Sequence, residues 1–220
     1  MRLSGIYLSL CAPDSPHPRW QGLTWIIFAF LFTILPAILE KKIGIWLVSR
    51  DVALTIVLPF IILLLFALQK EQGQTLLARR IPALLLMGIA PAALWIAFQG
   101  GFSLHLNGID PSKVPWYFYA CSCLNSIVLT PIYEEKVVRG LLLRGAASFL
   151  GRPIAIFATS ALFAYAHKGN EISMFLFAIA LAYLALYRNI GTMERAIIHG
   201  AYGATIAFAA AIHIVFMMKA

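Results

Sequence analysis

The sequence predicts an all-α protein, a polytopic membrane helical bundle of about seven to eight transmembrane helices. Three observations carry that prediction. Of the 220 residues, 61% are hydrophobic and 12% are charged; soluble domains carry about 25% charged residues. The apolar residues fall in uncharged runs of bilayer-crossing length, roughly 20 residues of helix. The apolar/polar alternation of a membrane barrel is absent, which leaves helices to satisfy the backbone in lipid.

Taken in order, residues 1–21 form a polar lead-in with Asp14, Pro16, Pro18 and Arg19. They make a poor secretory signal, with Arg2 alone as the basic start, so the first membrane helix itself serves as an uncleaved insertion signal. The first span is 22–39, with Pro36, stopped by Glu40-Lys41-Lys42. Residues 43–48 are too short to cross and suit an interfacial segment anchored by Trp46. The second span is 52–68 with Pro59, and 70–80 is a polar connection. The third is 81–104 with Pro91, followed by a turn-rich loop at 105–113. The fourth is 114–133, where Pro131 is expected to bend the helix. Residues 140–150 read as a separate tilted or half-membrane segment, and 153–166, 172–187 and 196–218 as the last three spans. Arg2, Arg19, Lys70, Arg79, Arg80, Arg144 and Arg152 fall on one side, which the positive-inside rule makes cytoplasmic, with the N-terminus in and the C-terminus out.

The net charge of +8 is scattered through connections. A nucleic-acid surface needs a clustered basic face with interleaved aromatics, so that class of partner is excluded. Cys11, Cys121 and Cys123 form no even disulfide framework; Cys121 and Cys123 point to different helix faces and read as packing residues.

The feature that a hydrophobic bundle does not need is Glu134-Glu135, directly after the uncharged fourth run. A carboxylate at the bilayer centre costs roughly 2.5–3.5 kcal/mol unless partnered or hydrated. Glu135 and Arg139 are four apart, share a helix face and can pair; the plainer reading is a charge pair closing a helix end. Glu134 lies about 100° round the helix without a sequence-local cation, and suits a group that takes and returns protons. His167 follows Phe163 by four residues on one face, and His199 sits among small residues that allow close helix approach. His213 reads as a core or interface histidine, and His17 and His105 as loop residues. A carboxylate pair and two histidines on three helices define a site hypothesis. They could activate water for attack on a carbonyl. Equally, Glu134, His167 and His199 could hold a divalent metal such as zinc.

In order and spacing, Glu134-Glu135-x-x-x-Arg139-Gly140, then Phe163-x-x-x-His167, then His199 in a late helix, with Thr159-Ser160 before the second element and 187–192 before the third, resembles the CPBP intramembrane protease family. That family includes type II CAAX prenyl endopeptidases and bacterial Abi proteins. The similarity runs over about 130–202. It implies 114–220 as the catalytic membrane core, continuous with the helices of 22–113 as one domain. It implies peptide-bond hydrolysis in a membrane protein or peptide, within the lipid bilayer. Glu134 would activate water, His167 and His199 would assist it, and Glu135, Arg139 and Phe163 would support the site. The family asparagine four residues after the last histidine is Gly203 here, so Tyr202, Asn189 and Ser160 become the candidate oxyanion donors; losing one donor typically costs about 10²–10³ in rate. The compact chain points to a bacterial inner membrane protein acting on a C-terminal sorting segment or secreted precursor. Two other classes compete: a non-catalytic immunity or chaperone-like module, and an ion or proton transporter, which would show broken helices in two related halves.

Overall fold

The computed structural model describes residues 19–44, 50–69, 78–98 and 115–217. Residues 1–18 of the lead-in, 45–49 with Trp46, 70–77, 99–114, His17, His105 and the side chain of His213 lie outside the described residues, whereas 19–21 and 43–44 belong to the first helix.

The described residues are all helical or connecting. α1 is Arg19–Gly44, α2 is Arg50–Leu68, and a single 3-10 turn, Ala78–Arg80, leads into α3, Ile81–Phe98. α4 is one long helix: Trp116–Leu124, a π-helical turn Asn125–Leu129, Thr130–Glu134, a second π-helical stretch Glu135–Leu142, and Leu143–Leu150. α5 is Arg152–Ala166, α6 is Glu171–Tyr187 and α7 is Thr192–Met217. Among the described residues, four helical stretches are long and apolar enough to cross a membrane: Trp20–Leu39, Asp51–Leu68, Ala78–Phe98 and Thr192–Ile212. Arg152–Ala166 and Glu171–Tyr187 are shorter apolar helices. Large apolar side chains such as Phe60, Leu63, Leu94, Phe98, Phe157 and Leu176 point outward, as lipid contact requires.

One expectation about the fourth span is corrected. The helix runs on past Pro131 and 140–150 is no separate segment: α4 carries through to Leu150 with right-handed helical backbone at every junction. A π turn places one extra residue ahead of Pro131, with the Thr130 N–H bonding to Asn125 O. Such insertions let a helix absorb a residue without stopping. The Glu pair therefore sits mid-helix, at the start of the second π stretch, and the Glu135–Arg139 pair does not close a helix end. α4 stops only at Gly151, whose φ of 76° suits glycine, and Pro153 in the first turn of α5 restarts the chain.

α4 is the central element. On one side Val137 and Leu141 pack with Ala29 and Phe32 of α1 and Val57, Ile61 and Leu65 of α2. Below the Glu pair, Leu143 and Ala146 pack with Ala155 of α5 and Ala182 and Ala185 of α6. α7 is pressed between α3 and α4 through glycines. A side chain on Gly88 of α3 would collide with the Ile198 carbonyl. A side chain on Gly200 would collide with the carbonyl of Ile127, inside the first π turn. Glycine at these two places lets backbones meet, the usual device for close packing in lipid.

Candidate functional site

Glu135 is the centre of the site. Its side chain is 0% exposed, so its two oxygens must be satisfied by protein. Oε2 accepts from Arg195 Nε at 3.1 Å. Oε1 faces His199 Nδ1 at 3.2 Å and Arg139 Nη1 at 3.2 Å. The i,i+4 pairing read from the sequence is present, as an ion pair without an aligned hydrogen bond. Arg139 Nη1 and Nη2 make no hydrogen bond of good geometry among the described residues, and its guanidinium carbon lies 4.3 Å from the Phe163 ring centroid. Phe163 thus supports Arg139 with its ring face.

His199 bridges the two carboxylates. A carboxylate can only accept, so the nitrogen facing Glu135 carries a proton; in the neutral imidazole the lone pair is then on Nε2. Nε2 stands 3.7 Å from Glu134 Oε2. Two carboxylates, Glu134 and Glu135, balance two guanidiniums, Arg139 and Arg195, which fits a neutral His199. Of the carboxylates only Glu134 keeps a window, with 20% of its side chain exposed. The rings of Phe163 and Phe177 meet His199 edge-on at 6.0 and 5.5 Å and fix its plane.

His167 caps the end of α5. Its Nδ1 bonds the Phe163 carbonyl at 2.8 Å, so Nδ1 is the protonated nitrogen there as well, and its ring lies on Phe163 at 4.3 Å between centroids. Glu134, His167 and His199 do not form a metal cage: among the described residues no three His, Cys, Asp or Glu side chains gather closely enough to hold an ion. Nδ1 of each histidine is committed to a protein acceptor, which leaves Nε2 as the nitrogen each could offer.

The candidate oxyanion donors divide. Ser160 is buried on α5 and its hydroxyl has no partner among the described residues. Tyr202 is buried against Phe177, with ring centroids 4.3 Å apart; its hydroxyl lies next to Ser173 without a well-formed hydrogen bond. Asn189 is exposed in the α6–α7 turn at φ 48°, a backbone position asparagine tolerates. At Gly203 a Cβ would stand 3.1 Å from the Ser126 carbonyl, so α7 runs close to the first π turn there too.

Two buried cations escape the sequence reading. Arg195 is 0% exposed; besides Glu135 it bonds Thr192 Oγ1 at 3.2 Å and the Ile190 carbonyl. It stands four residues before His199, on the same face of one helix, and that spacing is the signal that could have found it. Lys136 is fully buried on the other flank of α4, with Nζ bonding Gln69 O at 2.8 Å and lying 4.4 Å over the Phe66 ring.

Fold and site together define a membrane-embedded helical protein built round a buried carboxylate–guanidinium–imidazole cluster. Residues 115–218, just under half the chain, match the family described as type II CAAX prenyl endopeptidase Rce1-like. The chain therefore contains a Rce1-like CAAX protease domain of the CPBP family, and the cluster lies inside it. No curated protein and no solved structure gives a significant match.

Proposed function

We propose that the protein is an intramembrane endopeptidase that hydrolyses a peptide bond of a membrane-associated protein or peptide. The observation that carries this reading is the half-open pair of Glu134 and His199, 3.7 Å apart, with the other side of His199 locked to Glu135. A water molecule fits against both. Glu134 takes a proton from it, and the His199 Nε2 lone pair orients it. The water oxygen bonds to the scissile carbonyl carbon, the carbonyl oxygen takes the negative charge, and Glu134 returns the proton to the departing nitrogen as the C–N bond breaks. His167 assists as the second imidazole, Glu135 and Arg139 support, and Ser160 and Tyr202 are the buried hydroxyls able to donate to the oxyanion. No step needs a metal held by these residues.

In this reading α1 to α7 each cross the bilayer, α5 and α6 as its shortest members, and 114–220 is the catalytic core. The membrane is a bacterial inner membrane and the substrate a C-terminal sorting segment or secreted precursor. Glu134→Gln should abolish cleavage while the protein still inserts; unchanged cleavage overturns the reading. Gly203 favours one alternative, a non-catalytic module that holds another protein's membrane segment, because the family's asparagine amide is missing there. Full biological activity of a Glu134→Gln, His199→Ala double variant would select that alternative.

A further inference from the structure

We propose that Arg195, rather than the in-helix Arg139, is the positioning residue that holds Glu135 and through it fixes the tautomer of His199. Its catalytic consequence rests on the protease reading above; its structural content does not. Of the two arginines facing Glu135, only Arg195 donates a well-formed hydrogen bond, Nε to Oε2 at 3.1 Å. Arg139 approaches Oε1 at 3.2 Å with neither Nη aligned for a hydrogen bond. Arg195 is also anchored at its far end. Nη2 meets Thr192 Oγ1 and Nη1 the Ile190 carbonyl, so the fork is braced against the first turn of α7 and the turn before it. A planar, multiply bonded guanidinium sets the rotation of the carboxylate it grips.

That rotation matters because it decides which oxygen is left for His199. With Oε2 taken by Arg195, Oε1 remains to accept from His199 Nδ1 at 3.2 Å. The proton is thereby kept on Nδ1, and the lone pair on Nε2 faces Glu134. If Arg195 lets go, the carboxylate can turn, Nδ1 loses its dedicated acceptor, and the Nε2–H tautomer becomes available. In that tautomer Nε2 donates and cannot accept. An orienting group behind a histidine works in this way, and the wrong tautomer costs up to about 10⁴ in kcat when the direct partner is lost. A group one bond further back, as here, is expected to cost about ten- to a hundred-fold.

The test reads the tautomer directly. Histidine is ¹⁵N-labelled in the full-length protein in detergent micelles, and His199 is assigned by comparison with His199→Asn. The wild type should show protonated Nδ1 and unprotonated Nε2. Arg195→Gln should show a mixture or the reverse, Arg195→Lys should restore part of the wild-type signal, and Arg139→Gln should leave it unchanged. Cleavage by Arg195→Gln should fall about ten- to a hundred-fold in kcat with KM unchanged, because Arg195 is wholly buried and meets no substrate. If Arg195→Gln does not fold, Thr192→Val removes one brace only and should still shift the tautomer partway. An unaltered tautomer in Arg195→Gln or Thr192→Val overturns the proposal, as does an equal change in Arg139→Gln. The tautomer is read without substrate, so this failure is distinct from failure of the protease reading, which Glu134→Gln tests.

Discussion

Glu135 and Lys136 are neighbours on α4, both wholly buried, and they face opposite flanks of the helix with different company. Glu135 gathers charged and titratable groups from elsewhere in the chain: Arg139 from its own helix, Arg195 and His199 from α7. Lys136 gathers a backbone carbonyl at the end of α2 and an aromatic face, Gln69 and Phe66; the Gln69 amide in turn donates to the Gly140 carbonyl at 3.0 Å. Both arrangements answer the same demand, that a buried charge be met by hydrogen bonds or opposite charge. They differ in what remains. On the Lys136 flank the groups brace α2 against α4. On the Glu135 flank, satisfying Glu135 leaves a lone pair on His199 and a partly exposed carboxylate on Glu134. Burial of a charge marks expense; convergence of groups with unspent valence marks chemistry.

That contrast can be broken by substitution. The largest effect is expected on the Glu135 flank. Glu135→Ala leaves two guanidiniums facing one another in a dry site, and removing one member of a buried ion cluster typically costs about 3–5 kcal/mol. Thermal unfolding in detergent should show a large drop together with loss of cleavage. Next comes α7, which brings Arg195 and His199 to α4. Gly200→Ala drives a Cβ into the Ile127 carbonyl, a backbone atom that cannot swing aside, so stability and cleavage should both fall. Gly203→Ala meets the Ser126 carbonyl at 3.1 Å, which a small shift relieves, and it should cost less than about 1 kcal/mol. A larger loss at position 203 than at 200 would show that the helix contact is not where the packing is tight. The smallest effect on cleavage is expected on the Lys136 flank. Lys136→Met keeps the volume but leaves the buried Gln69 carbonyl without its lysine donor, which should cost stability about 1–3 kcal/mol while touching no group that faces Glu134 or His199. Cleavage within about threefold of wild type is the outcome that upholds the contrast; loss of cleavage with an intact fold would erase it. Tyr202→Phe adds a sharper point. It deletes a hydroxyl that lies next to Ser173 without a well-formed hydrogen bond, so stability should hold. A rate loss of about 10²–10³ would identify Tyr202 as the oxyanion donor.

Much of this was legible in the residues. The uncharged runs locate the apolar helices, and Glu134, Glu135, Arg139, Phe163, His167 and His199 stand out in the sequence itself. The Phe163–His167 face follows from their four-residue spacing; the approach of His199 to Glu134 and Glu135 joins two distant helices and follows from no spacing. Arg195 was not found because an uncharged run marks where lipid can lie, not where a helix begins. The last run starts at 196, but α7 begins at Thr192, and its first turn carries Glu194 and Arg195 inside the protein. Glu194 there closes the helix start, accepting from the Gly191 N–H at 3.3 Å, and pairs with Arg80 at 3.2 Å. The continuity of α4 was hidden for a related reason. Charges in 134–139 looked like a boundary, yet a helix can run through them when its partners come from distant segments. The π stretches left no readable trace in the residue pattern; the first lies just ahead of Pro131 and against Gly200 of α7. Whether Glu134, His167 and His199 gather turns on distances that no spacing reveals: among the described residues no three His, Cys, Asp or Glu side chains come closely enough together to hold an ion.

The most direct test of the central claim compares cells producing the wild-type protein with cells producing Glu134→Gln at equal membrane levels. Mass spectrometry of membrane-protein termini would read every new chain end, and Glu134→Gln would serve as the trap for the uncut partner. The account predicts one or a few cleaved termini that appear with the wild type and vanish with Glu134→Gln, their uncleaved precursors co-purifying with the variant. The same termini in both cell types would contradict it.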